Sequence, residues 1–217
     1  MSAKTGRGKF ITFEGPEGGG KSTQIEALAA ALRAEGRAVL VTREPGGTPL
    51  AEKVRALVRE ERGDPPVTRS EALLFLAARA QVVARAIRPA LARGAWVLCD
   101  RFADSTFAYQ GYGRGLDVAL LRQLNAFATE GLAPDLTFLL DVPPEVSRAR
   151  LAARQAATAT TADRIEAAGE AFHARLRAGF LALAREEPAR FAVIDATASR
   201  AAVAARILAA VRPLLAE

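Results

Sequence analysis

Eight consecutive residues give the clearest chemical signal in this chain of 217 residues: Gly15-Pro16-Glu17-Gly18-Gly19-Gly20-Lys21-Ser22 completes the pattern G-x-x-x-x-G-K-[ST]. Glycine lets successive backbone N–H groups turn inward around phosphate oxygens, and a helix starting near Lys21 adds the positive end of its dipole. Lys21 would then reach the β- and γ-phosphates of a bound nucleotide, and the Ser22 hydroxyl would ligate Mg2+. Thr23 completes the cradle one residue further on. An apolar run at residues 10–14 precedes the pattern and a helical run follows it, the strand–loop–helix setting that a phosphate loop requires.

An acid and several arginines belong with this cradle. Trp96-Val97-Leu98-Cys99-Asp100 reads as an apolar strand ending in a carboxylate. Ligands of parallel sheets lie beyond the carboxyl ends of the strands, so Asp100 is expected beside Lys21 and the metal ion. Cys99 alternates to the opposite face, where a small buried thiol fits the core. Arg101 follows Asp100 directly and can bridge two phosphates, while Arg43 and Arg55 flank Glu44-Pro45-Gly46-Gly47-Thr48. Phe75 and Arg79 stand four apart on one helix and project from the same face. An aromatic plate beside a hydrogen-bond fork suits a nucleobase, although a core phenylalanine next to a solvated arginine gives the same spacing. A GTPase would carry an Asn-Lys-x-Asp guanine reader, and the sequence has none. Positive groups on two phosphates, a base pocket and a cover that excludes water are what a kinase acting on a small phosphate needs.

The elements that position these residues alternate along the chain. Short apolar runs of β type stand at residues 10–14, 38–42, 95–99, 136–141 and 191–195. Between them Ile25, Leu28, Ala29 and Leu32 follow helical spacing up to Gly36. Leu73, Leu76, Ala77, Ala80, Ala84 and Ile87 mark a longer helix, opening with Thr68 and Glu71 in capping-box spacing and closing at Gly94. Leu120, Leu121, Leu124 and Phe127 mark another helix, and Val203, Ile207, Leu208 and Val211 the last. Strands alternating with helices imply a three-layer α/β/α fold around a five-stranded parallel sheet of P-loop NTPase type. No internal repeat or long linker divides the chain, so residues 1–217 are expected to form one domain, with residues 1–8 a flexible lead. Half of the residues are apolar and a quarter charged, an ordinary globular mixture, and no run is long enough to span a membrane. The start has no apolar core like a secretory signal, and a single cysteine allows no internal disulfide, which points to the cytoplasm. A net charge of +6 is spread over the chain without a basic tail, so it favours an anionic small ligand over nucleic acid.

Taken together, five segments resemble the bacterial thymidylate kinases over nearly the full length: residues 13–23 (FEGPEGGGKST), 42–48 (TREPGGT), 100–111 (DRFADSTFAYQG), 163–166 (DRIE) and 193–197 (VIDAT). The resemblance implies transfer of the γ-phosphoryl of ATP to dTMP on the route to dTTP. It implies that Glu17 holds the deoxyribose 3′-hydroxyl, Phe75 stacks on thymine and Arg79 reaches its O4 carbonyl. Thr106 and Gln110 would line the base pocket, Tyr109 would crowd out a ribose 2′-hydroxyl, and Arg55 and Arg101 would grip the acceptor phosphate, with Arg101 central to transfer. A homodimer is implied by the resemblance as well.

The x positions of the phosphate loop hold no arginine or lysine, so another cation is wanted near the γ-phosphate. A helical lid at about residues 148–165 can supply it. Its Arg148, Arg150 and Arg154 precede an Ala/Thr stretch at 155–162, and Arg164 follows. Arg154 and Arg164 are the expected donors, and Arg150 after them. The Ala/Thr stretch is several residues longer than in the family. His173, the sole histidine, is expected on a helix surface after the lid. Two other readings remain: a kinase of the same fold acting on another nucleotide or a deoxynucleoside, and a P-loop ATPase that binds nucleic acid.

Overall fold

The computed structural model describes residues 7–59, 63–158 and 169–215. Strand β1 (Phe10–Glu14) leads through the phosphate loop into α1 (Lys21–Ala34), followed by β2 (Val39–Arg43), α2 (Pro49–Arg59) and α3 (Thr68–Val82). A π-helical turn (Val83–Ile87) joins α3 to α4 (Arg88–Ala92), which precedes β3 (Trp96–Asp100). The short α5 (Ala103–Thr106) runs into a π-helical segment (Phe107–Gly113) and then α6 (Val118–Thr129). The order continues with β4 (Leu136–Asp141), α7 (Pro144–Thr158), α8 (Glu170–Glu186), β5 (Phe191–Asp195) and α9 (Arg200–Leu215).

The described strands make a five-stranded, all-parallel sheet in the order β2-β3-β1-β4-β5. From β1 the chain crosses toward β2, and from β3 it crosses the other way toward β4. These diverging crossovers open a crevice at the carboxyl ends of β1 and β3, the place where open α/β sheets bind ligands.

Strand alternation decides which residues enter each layer. Ile11, Phe13, Trp96 and Leu98 pack against Ile25, Leu28 and Leu32 of α1 and against Val203, Ile207 and Val211 of α9. Phe10, Val97 and Cys99 face the other layer, with Val82, Val83 and Ile87 and with Leu176, Phe180 and Leu183 of α8. By the same alternation Asp100 emerges on the α1 side and Glu14 on the opposite one.

Three expectations change. The second strand starts and ends one residue later than the apolar run at 38–42, and the third spans Trp96–Asp100, as the segment ending in Asp100 reads, rather than the run at 95–99. Thr68 and Glu71 form no capping box: Val67 is the capping residue, extended and without a side-chain bond, and Thr68 is already helical. Glu71 is instead fully buried and accepts hydrogen bonds from Gln110 (2.8 Å) and Arg114 (3.0 Å). The buried face of α3 is consequently turned from the apolar stripe, for it contains Glu71, Ala72, Leu76, Ala78, Arg79 and Val82, while Leu73 and Ala77 are exposed. Two charged residues occupy core positions because tertiary partners await them there.

Candidate active site

The phosphate loop takes its shape from three left-handed glycines, Gly15, Gly18 and Gly20, with φ of 127°, 71° and 89°. Gly15 has a second constraint: a Cβ there would lie 2.5 Å from the Leu140 carbonyl oxygen of β4, so only glycine passes so close to the sheet. Lys21 is buried and donates from Nζ to the carbonyls of Gly15 (3.2 Å) and Pro16 (2.9 Å). The ammonium thus lies folded back over its own loop. Burial, and after it the nearby Arg101 guanidinium, pushes the Lys21 pKa down.

Asp100 arrives where the sheet register sends it. Its Oδ2 accepts from Ser22 Oγ at 3.2 Å, and its buried Oδ1 has no hydrogen-bond partner. A hydroxyl and a carboxylate with an unmatched oxygen, at the mouth of a phosphate loop, are the oxygen donors a hard divalent cation takes alongside phosphates and water. The residues therefore fit Mg2+. Among the described residues no three Asp, Glu, His or Cys side chains converge as a self-sufficient metal cage. The site fits a cation that arrives with its nucleotide. Cys99 points away, fully buried, and burial raises its pKa well above the usual thiol range.

Arg101 adopts a left-handed backbone, φ 69°, unusual for a residue with a Cβ. The turn brings its guanidinium back across the phosphate loop, where Nη1 donates to Gly15 O (2.9 Å) and Ser105 Oγ (3.1 Å) and Nη2 to Glu17 Oε1 (2.6 Å). That guanidinium holds the Glu17 carboxyl well below the usual carboxylate range, against the opposing effect of burial. It also lies 5.0 Å from the Tyr109 ring centroid. The Tyr109 hydroxyl is buried without a partner, and burial raises its pKa.

Arg79 enters from α3, only 3% exposed, and is held on several sides. Nε donates to Glu44 Oε2 (2.7 Å), Nη2 to Phe102 O and Thr106 Oγ1 (both 3.0 Å), and Nη1 to Asn125 Oδ1 (3.1 Å). One Nη1 hydrogen is left for a ligand. Gln110 is fixed by its bond to Glu71, and Phe75, half-buried, lines the same cleft. Arg55 also lines it, with Nη1 on Pro45 O at 3.1 Å. Arg43 is exposed and already neutralised by Glu52, through bonds of 3.0 and 3.1 Å.

Helix α7 begins on top of the phosphate loop, with Ser147 Oγ donating to Glu17 O at 2.6 Å. From there Arg150 and Arg154 line the cleft, whereas Arg148 turns outward to Glu170 (2.6 Å). The α7 helix continues through Thr158 and so takes in the start of the Ala/Thr stretch. Arg164 and the 163–166 segment lie outside the described residues. His173 is half-buried on α8 with its ring edge against Phe172.

The cleft that joins these groups measures about 840 Å3. Sequence reasoning missed the carboxylates in and around it: Glu44 in its lining, and Glu14 and Glu71 behind it, each buried and each bonded to a cleft residue. Glu14 ends an apolar strand just as Asp100 does, which was a readable signal. The Glu44 and Glu71 pairings join distant segments and leave no local pattern.

The family model described as Thymidylate kinase matches residues 13–207. The thymidylate kinase of Solidesulfovibrio magneticus is 54% identical over 95% of this chain and 100% of its own length. That of Deinococcus radiodurans is 53% identical over 94% of this chain and 97% of its own. The crystal structure of thymidylate kinase from Ehrlichia chaffeensis superposes with a TM-score of 0.75 at 36% identity, covering 94% of this chain and 99% of that one.

Proposed function

This chain belongs to the thymidylate kinase family, and on that footing we propose that its cleft transfers the γ-phosphoryl of ATP to dTMP, giving ADP and dTDP. One observation carries the reading: a single cleft brings the phosphate loop and Arg101 together with the pocket of Phe75, Arg79, Tyr109 and Gln110. A donor triphosphate and a base-bearing acceptor phosphate then meet at Arg101.

The position of each residue supports a proposed role. Lys21 exchanges its two loop carbonyls for β- and γ-phosphate oxygens. Arg101 spans the loop and the acceptor, and Arg55 grips the acceptor phosphate from the other side. Arg150 and Arg154 close over the γ-phosphate from α7, replacing the cation that the loop lacks, and Arg164 is proposed to join them from the lid. Ser22 and Asp100 hold Mg2+, which neutralises charge on the transferred group. The acceptor oxygen attacks phosphorus in line while the bond to the β-phosphate oxygen breaks. The acceptor is already an anion, so no strong general base is required, and positioning with charge neutralisation does the work.

At the base end Phe75 stacks, Arg79 offers its remaining Nη1 hydrogen to O4, and Thr106 and Gln110 border the ring. The unpartnered Tyr109 hydroxyl and the Glu17 carboxylate face the sugar, the first against a 2′-hydroxyl and the second toward the 3′-hydroxyl. Helices α3 and α6 pack together and expose Leu73 (56%), Leu120 (51%) and Phe127 (87%), which supports a homodimer through this face. Its substrates assign the enzyme to the cytoplasm; among the described residues no helix is long and apolar enough to cross a membrane.

Release of ADP measured across dTMP, dUMP, dCMP, AMP and GMP tests the substrate. We expect dTMP to lead in kcat/KM, with dUMP behind by about 10–200-fold, the range one methyl group commands. A purine monophosphate in first place would refute the assignment. Hydrolysis stimulated by DNA or RNA would favour the nucleic-acid ATPase instead.

A further inference from the structure

The transfer chemistry makes no use of the carboxylate that ends β1. Glu14 is 0% exposed. Its Oε1 accepts from the backbone N–H groups of Phe102 (2.7 Å) and Ser105 (3.3 Å), and its Oε2 from Ser105 Oγ (2.6 Å). Ser105 Oγ in turn accepts from Arg101 Nη1 at 3.1 Å. All three donors point at Glu14, and the serine hydroxyl continues the chain to the guanidinium. Phe102, whose N–H Glu14 holds, immediately follows the left-handed Arg101 (φ 69°), a conformation that needs support from its surroundings.

We propose that Glu14 and Ser105 form a positioning relay that keeps Arg101 turned into the cleft, with the ionised Glu14 carboxylate as the common acceptor. The relay rests on the reading of Arg101 as the residue that bridges donor and acceptor. Burial, and after it the neighbouring Asp104, raises the Glu14 pKa to about 7, while Arg101 and the bonds from Ser105 and Phe102 act the other way. Among the described residues Lys21, Cys99 and Tyr109 also feel the Glu14 charge, and Asp104 is itself clamped by Arg190 at 2.8 and 3.0 Å. Once protonated, Glu14 must place a hydrogen among three converging donors, and the bracket loosens.

Steady-state kinetics of the full chain between about pH 5.5 and 8.5 test the relay, with Glu14→Gln, Ser105→Ala, Ser105→Thr and Arg101→Ala beside the wild type. Glu14→Gln is expected to lower kcat about 10–100-fold at pH 8 and to leave KM for ATP within about twofold. The ratio of wild-type to Glu14→Gln kcat should shrink toward unity below about pH 6, because the wild type loses its carboxylate there while substrate ionisation cancels. Ser105→Ala should approach Glu14→Gln, and Ser105→Thr, which keeps the hydroxyl, should recover most of the rate. If Glu14→Gln does not fold, the two Ser105 variants decide alone: equal rates for Ala and Thr overturn the relay. A ratio that stays flat with pH overturns it too. Wild-type turnover in Glu14→Gln with a crippled Arg101→Ala overturns the relay and leaves the function intact, whereas near-normal turnover in Arg101→Ala overturns both.

Discussion

Replacing Arg79 by methionine tests how the base pocket is supported. The substitution keeps much of the side-chain volume but removes four hydrogen bonds, to Glu44, Asn125, Phe102 and Thr106. The main loss is at Glu44, 4% exposed, whose Oε2 loses its partner while its Oε1 already has none. Breaking a buried ion pair by removing one partner costs about 3–5 kcal/mol. For a chain of this size each kcal/mol shifts Tm by about 2–4 °C, so a drop of about 6–20 °C is expected near pH 8. The cost must depend on pH. Burial raises the Glu44 pKa to about 7 even with Arg79 lowering it, so without Arg79 it rises further. In the wild type a raised carboxylate pKa means that Glu44 favours folding below the ordinary value of 4.5, and that this contribution is lost as pH rises through about 7. In the variant the loss on the alkaline side is larger, since there Glu44 must either stay ionised without its partner or take up a proton. Below neutrality both proteins hold a protonated Glu44 and the gap narrows. Thermal melts at pH 5.5 and 8 read this directly, and adding Glu44→Gln to Arg79→Met should restore part of the pH 8 loss. Equal shifts at both pH values, or a loss below about 1 kcal/mol, would refute the reasoning.

Other consequences are more local. Lys21→Ala should lower turnover at least about 100-fold with the melting curve little changed, and near-normal turnover would reject its role on the phosphates. Asp100→Asn should raise the Mg2+ concentration for half-maximal rate about tenfold or more, as read from a magnesium titration at saturating ATP; an unmoved midpoint would remove Asp100 from the metal site. For the homodimer proposed above, Phe127→Glu, at 87% exposure, should give a monomer mass in light scattering where the wild type gives a dimer, while folding stability stays within about 0.5 kcal/mol. A persisting dimer would place the contact elsewhere.

The sequence made the donor half of the site legible because its physics is local. Glycine at left-handed positions, a helix start and an apolar strand before it are all read within about ten residues, and the structure has β1, β4 and β5 at the residues where the apolar runs stand. Asp100 and Cys99 diverge as strand alternation requires. The acceptor half was legible only in part. Phe75 and Arg79 do share a cleft, yet Arg79 sits in the core, tied to Glu44 from the far end of β2 and to Asn125 on α6. No spacing rule announces partners so far apart. Glu71 shows the same limit: read locally it resembles a capping residue, and only the folded chain supplies Gln110 and Arg114. Leu73 and Phe127 erred the other way, matching helical stripes yet standing exposed. A stripe marks an apolar face without saying whether the same chain or a second copy covers it.

Direct passage of one phosphoryl group between two nucleotides is the heart of the account, and ATP made chiral at the γ-phosphorus examines it most closely. After transfer to dTMP, a single in-line displacement should leave the dTDP β-phosphorus inverted. Retained configuration, which a phosphorylated enzyme intermediate would give, or no label in dTDP at all, would contradict it.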